Sequence, residues 1–304
     1  DWSGKWYSAQ TPTSGTSAII AVAANQPSTY TANHTCSALT INAGAALTLG
    51  GGFDLTVAGT LTVTGTLTVA ASDSVIDVNG AVTVASGATF DIGSSTHFVA
   101  LGWTSTGTAV LTGTGTIEFD GIGTTTTTAS GALPNARVVA GTRTMTTTTI
   151  SGNLEQTGGT TTISDQAIVA VLGNATFSGG TFGSTGVGFL PQRLDVTGNV
   201  VMGATPDVNY LSDTHIECGG NWTGSLAFDP PTGLVQLDSV SAATASGDLT
   251  FFNLNIANGV KTVATAATVK STLTVLSGTL DADAALDVNG AVTVASGATF
   301  DIGS

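Results

Sequence analysis

Eighteen residues of this chain occur twice. The run from Asp77 to Ser94, DVNGAVTVASGATFDIGS, returns unchanged at Asp287 to Ser304, 210 positions later. Identity over such a stretch points to repeat architecture, in which like units stack on one another. A finer period lies beneath it. Short apolar-polar-apolar triplets recur every six to eight residues: Leu39-Thr40-Ile41, Leu47-Thr48-Leu49, Leu55-Thr56-Val57, Leu61-Thr62-Val63 and Leu67-Thr68-Val69, then Ile76-Asp77-Val78, Val82-Thr83-Val84 and Phe90-Asp91-Ile92. Each puts two apolar side chains on one face and a polar one on the other, the period-two pattern of a strand. Gly or Asn-Gly fills the gaps, as at Gly59, Gly65, Asn79-Gly80 and Gly87.

Strands this short, at so constant a period, do not suit the hairpins of a β-sandwich. Three per turn give about 18 to 24 residues per coil, the solenoid range. The expected fold is therefore all-β, a right-handed parallel β-helix with about three short strands per coil and little or no helix. About fourteen coils at about 4.8 Å would make a rod on the order of 70 Å long. A weaker repeat, offset by 118 to 119 residues, aligns Thr96-His97-Phe98 with Thr214-His215-Ile216, Trp103 with Trp222, and Ile117-Glu118-Phe119-Asp120 with Val235-Gln236-Leu237-Asp238.

Composition agrees. Charged residues are 9% of the chain, against roughly 25% in an average domain. Thr and Val suit a pleated surface, and the 41% hydrophobic fraction is ample for a core. Six Lys and Arg against twenty Asp and Glu leave a net charge of −14 and no basic patch, so no nucleic-acid partner is expected. No apolar run is long enough to span a bilayer, so no membrane insertion is expected.

The stretch from Leu39-Thr40-Ile41-Asn42-Ala43-Gly44-Ala45 to Gly65-Thr66-Leu67-Thr68-Val69 resembles the β-strand-repeat, hemagglutinin-like regions of large secreted bacterial surface proteins. Asp1-Trp2-Ser3-Gly4-Lys5-Trp6 is similar to the tryptophan-bearing leader before such repeats. Gly220-Asn221-Trp222-Thr223 and Phe252-Asn253-Leu254-Asn255-Ile256 look like further signatures of the class. The resemblance implies right-handed β-helix architecture and display at the cell surface. It implies no catalytic residues.

Four segments are expected. Residues 1–35 read as an N-terminal cap or subunit-contact segment, with Trp2, Trp6 and Tyr7 as candidate contact residues, because a solenoid's open edge needs covering. Residues 36–182 read as regular solenoid, with the Thr124–Thr128 and Thr146–Thr149 runs as loops joining coils. Residues 183–233, with four prolines, read as irregular solenoid carrying loops or an insertion. Residues 234–304 read as regular solenoid, continuing past Ser304 with something like Ser95-Thr96-His97 or stacking on another subunit. The chain begins at Asp1 with no visible signal peptide, as a mature secreted chain or an internal fragment would.

Chemistry-bearing residues are sparse. Cys36 and Cys218 would lie on the order of 40 Å apart at about 4.8 Å per coil, too far for an internal bridge. They read as buried apolar side chains, or as partners in an intermolecular disulfide. His34, His97 and His215 are too scattered for a metal site, and His97 and His215 read as repeat-equivalent structural residues. Asp77-Val78-Asn79-Gly80 mimics the start of a calcium loop but lacks the later acidic ligands and closing Glu. It reads as a turn, and Asp281 with Asp283 is a similar weak case, so no cofactor is expected beyond this faint Ca2+ pattern. Arg137 and Arg143 fall at adjacent-strand spacing with no acidic cluster beside them, and catalysis is not expected.

The expected function is that of an extracellular structural protein, a solenoid subunit or segment of a surface fibre or filament assembled head to tail, secreted and displayed at the cell surface. Its partners would be further copies of itself, and cell-surface polysaccharide or a host or neighbouring cell surface. The alternatives are the shaft of a giant cell-surface adhesin and a carbohydrate-active β-helix enzyme.

Overall fold

The computed structural model describes residues 12–22, 28–29, 33–50, 52–70, 73–184, 192–203, 208–210, 214–225 and 232–303. None of them is helical. The chain is a right-handed parallel β-solenoid of about 12 turns among the described residues. This is fewer than the sequence period suggests, and coil spacing runs from 18 residues, as between Ala243 and Lys261, to 28 between Gly180 and Val208. The chain divides into two compact units, residues 1–144 with 148–152, and residues 145–147 with 153–304.

In the first unit each coil as far as Thr112 runs through three sheets. One holds Ser17–Ile20, Ala38–Ile41, Leu61–Val63, Val82–Val84, Trp103–Ser105 and Thr124–Leu133. A second holds His34–Cys36, Leu55–Val57, Ile76–Val78, Thr96–Val99, Thr116–Phe119 and Asn135–Val138. The third holds Ser28–Thr29, Ala46–Leu49, Thr66–Val69, Thr89–Asp91 and Val110–Thr112. Register follows the triplets. Leu39, Leu61, Val82 and Trp103 stack in one inward column, and Thr40, Thr62, Thr83 and Thr104 stack outward beside it. Each fully buried Val or Leu of such a column stabilises the fold by about 1.5–3 kcal/mol. Turns between strands are tight. A Cβ on Gly65 would lie 2.2 Å from the carbonyl oxygen of Ala45, so only glycine lets the coils approach there.

In the second unit two faces dominate. Leu154–Gln156, Ala175–Phe177, Val200–Met202, Trp222–Gly224, Ala243–Gly247, Val260–Val263, Thr279–Ala282 and Thr299–Asp301 form one. The other carries longer or collinear strands, among them Leu249–Ile256 and Ala267–Val275, which pair along their length with a register shift between Phe251 and Asn253.

The repeated eighteen residues show how the coil beneath sets the cross-section. In the first unit Ile76–Val78, Val82–Val84 and Thr89–Asp91 lie on three different sheets. In the second, Leu286–Val288 and Val292–Val294 both pair with the single strand Ala267–Val275 and share a sheet, while Thr299–Asp301 pairs with Thr279–Ala282 on another.

Two expectations need correction. The threonine runs are not loops: they belong to the strands Thr124–Leu133 and Thr142–Ile150. Threonine is β-branched and small enough to face either way. Thr127 and Thr148 point inward and are buried, so the runs hide a strand pattern behind one residue type. His97 and His215 are not equivalent either. His97 faces the core with Phe98 outward, whereas Ile216 faces the core with His215 outward. A one-residue slip exchanges the faces of a strand. Pro191, Pro206, Pro230 and Pro231 lie outside the described residues, while Arg193–Val196 and Trp222–Gly224 within the segment read as irregular are regular strands.

An asparagine ladder climbs the second unit. The backbone N–H groups of Asn174, Asn199, Asn221 and Thr244 donate to the side-chain oxygens of Asn153, Asn174, Asn199 and Asn221 respectively, each at 2.8 Å. Each asparagine follows a glycine. Replacing Asn199 by Ala leaves the Asn221 N–H without its acceptor, and thermal unfolding of Asn199→Ala should show a loss of about 1–2 kcal/mol.

Candidate functional site

Trp2, Trp6 and Tyr7 lie outside the described residues. Cys36 and Cys218 are free thiols in the inward columns of their respective units, both buried. Burial pushes each thiol up to about 11, which leaves little nucleophilic thiolate at neutral pH. Among the described residues no three His, Cys, Asp or Glu side chains converge so as to hold a metal ion. Asp77 sits on an outward position between Thr56 and Phe98, and burial followed by the Asp120 charge raises its carboxyl above the usual range.

His97 is part of the core. Its Nδ1 accepts from the Ile76 N–H at 2.9 Å, which leaves the proton on Nε2 to donate to the Ile92 carbonyl at 2.7 Å. The neutral ring thus ties the end of one strand to the start of another. Burial lowers its pKa, against the opposing effect of the bond to Ile92.

The arginines separate into different roles. Arg137 pairs with Glu118 of the neighbouring coil at 3.0 Å. Arg143 is buried, donates to the Leu101 carbonyl at 2.6 Å and stacks over the Phe119 ring at 4.4 Å, and burial lowers it to about 10. The acidic cluster that the sequence did not show around these two forms instead around Arg193. Arg193 Nε lies 2.8 Å from Glu217 and Nη2 lies 4.0 Å from Asp195, while His215 Nε2 lies 3.5 Å from Glu217. Strand register makes the cluster: Asp195 pairs with Glu217, and both face outward beside inward Leu194 and Ile216. Burial raises Glu217, with Arg193 opposing, and holds His215 at about 4, where the Arg193 charge acts in the same sense. At neutral pH the cluster therefore contains a neutral imidazole, a guanidinium and two adjacent carboxyl groups.

Lys261 was not legible as a special residue. It occupies an inward position between Ala243 and Leu280, fully buried, and its Nζ donates to the Ser239 and Asn258 carbonyls at 2.6 Å and to Ser241 at 3.4 Å. The ammonium closes the turn at Ser239–Ser241. Its sequence context, Val260-Lys261-Thr262-Val263, reads as an ordinary strand.

All three histidines have pKa values lowered by burial. The unfolded chain, with histidines near 6.5, therefore binds protons before the folded one, and stability is lost as pH falls below that value. The raised carboxyls of Glu217 and Asp238 act in the opposite sense, in the acidic range nearer their ordinary values. Melting temperature should fall between pH 7.5 and 6.0, and fall less in His215→Asn. An equal fall in the variant would remove His215 from the account.

Compared with known proteins, the chain matches no family model, no curated protein and no solved structure. The parallel β-solenoid of stacked repeats is shown, while the resemblance to hemagglutinin-like secreted proteins has no relative behind it.

Proposed function

We propose that the protein is an extracellular structural β-solenoid, a subunit or segment of a surface fibre built by stacking coils head to tail. The observation that carries this reading is the parallel register: Leu39, Leu61, Val82 and Trp103 stack coil upon coil in one buried column, each strand pairing its backbone with the next. A parallel edge with apolar inward positions accepts another strand in the same direction. The low charge density and acidic balance suit a secreted, cell-surface setting, with polysaccharide or a neighbouring cell's surface as a lateral partner. Negative-stain microscopy of the purified chain at rising concentration should show filaments. Isolated short particles at high concentration would overturn the reading. The alternative, the shaft of a giant adhesin, rests on the same stacking, and the mass of the full-length protein separates the two, since an adhesin should be far longer than 304 residues.

One observation favours a second reading, a carbohydrate-active β-helix enzyme. Asp195 and Glu217 stand on neighbouring strands of the outer face, with Arg193 and His215 beside them. A raised carboxyl beside a second one is the arrangement that acid-base cleavage of a glycosidic bond uses. Screening acidic and neutral polysaccharides should give turnover that Glu217→Gln lowers at least about 100-fold. Absence of turnover, or unchanged turnover in the variant, would dismiss it.

A further inference from the structure

One outward column of the second unit is built from residues that strands do not favour. Asp195 pairs with Glu217, Glu217 with Gln236, Gln236 with Asn255 and Asn255 with Thr274, so these five side chains stack coil upon coil on the outer face. All five are half-buried, and each stands between inward, buried neighbours on its strand. In the first unit an outward column is threonine throughout: Thr40, Thr62, Thr83, Thr104 and Thr128 stack in register. Threonine suits a pleated surface, whereas Asp, Asn and, to a lesser degree, Glu are depleted there. Strand propensity therefore gives no reason for the change of residue type.

Internal hydrogen bonding explains only part of the column. Glu217 and Asp195 face Arg193, at 2.8 and 4.0 Å. Among the described residues the side-chain amides of Gln236 and Asn255 bond to no other group of the protein. Other asparagines differ in this. Those of the turn ladder accept backbone N–H groups, and Asn253, one column over, accepts from Thr272 and donates to the Gly233 carbonyl. Gln236 and Asn255 thus present two amides at successive rungs, each able to donate and to accept. Beside them Leu234 stands outward and half-buried between His215 and Asn253.

Uncharged amides and a hydroxyl beside an apolar side chain match the two sides of a sugar ring: hydroxyls pair with the amides, and ring C–H groups lie on the leucine. Rungs rise by about 4.8 Å, close to the length of one residue in an extended β-1,4-linked pyranose chain, so each rung can meet one ring. We infer that the outer face from Glu217 to Thr274 is a track for a neutral, extended polysaccharide lying across the strands, with Gln236 and Asn255 as its recognition residues. The carboxyl groups at one end of the track, in a chain of net charge −14, repel an anionic polymer. The inference rests on the carbohydrate reading of this face given above, and it names the class of polymer and the residues that choose it.

Isothermal titration calorimetry with cellohexaose tests it, on the full chain carrying Glu217→Gln so that the sugar stays intact. Cellohexaose should bind, and a β-1,4-linked glucuronate hexamer, the same backbone with carboxylates, should bind at least about tenfold more weakly. Adding Gln236→Thr and Asn255→Thr restores a threonine column and keeps the strands, and it should weaken cellohexaose binding at least about tenfold. Thr62→Val in the first unit should leave the affinity unchanged. No binding of cellohexaose, equal or tighter binding of the glucuronate hexamer, or an affinity untouched by the paired threonine substitutions would overturn the inference. Turnover that Glu217→Gln lowers but Gln236→Thr with Asn255→Thr leaves intact would refute the track while the enzyme stands. Binding as expected without any turnover would refute the enzyme and support the track.

Discussion

Among the described residues, strands of one coil pair their backbones in parallel with strands of the coil below and of the coil above. Strands of three or four residues cannot hold themselves extended, and no hairpin partner lies next to them in sequence. Parallel register is therefore the condition for any strand to persist, and it forces like residues into columns. The apolar column that results, with Leu39, Leu61, Val82 and Trp103 as one stretch, is a consequence of the ladder as much as a cause of it. Burial and hydrogen bonding reinforce each other at each rung, which is how a chain with few charges and short strands holds a core.

Outside the columns, polar side chains repeat the same logic. The asparagine ladder hands one side-chain oxygen to the next backbone N–H four times over, at the turn where strand pairing is interrupted. Buried cations close gaps that the ladder leaves: Lys261 gathers the carbonyls of a turn, and Arg143 caps Leu101 while resting on Phe119. The Arg193, Asp195, His215 and Glu217 cluster follows from register too, since outward positions on neighbouring strands bring residues about 20 apart in sequence to within contact.

What the sequence made legible was the strand. Triplets such as Leu61-Thr62-Val63 announced both the element and its inward face, and the structure buries Leu61 and Val63 as read. Legibility failed where one residue type serves both faces, as in the threonine runs of Thr124–Leu133 and Thr142–Ile150. It failed again where alignment by similarity ignored parity, so that His97 and His215 were matched although they face opposite ways. The charged cluster was hidden because its members are close only after coiling. The asparagine ladder has a sequence signal: Gly152-Asn153, Gly173-Asn174, Gly198-Asn199 and Gly220-Asn221 recur at coil spacing as turn residues.

The same eighteen residues occupy three sheets in one unit and two in the other without changing their own turns. A strand and its turn are thus the interchangeable part, and the full coil is not. A gene encoding such a chain can gain or lose material in steps of one strand and one turn, and the product still finds pairing partners for what was added. Length can drift by thirds of a coil, and duplication need not respect the circumference.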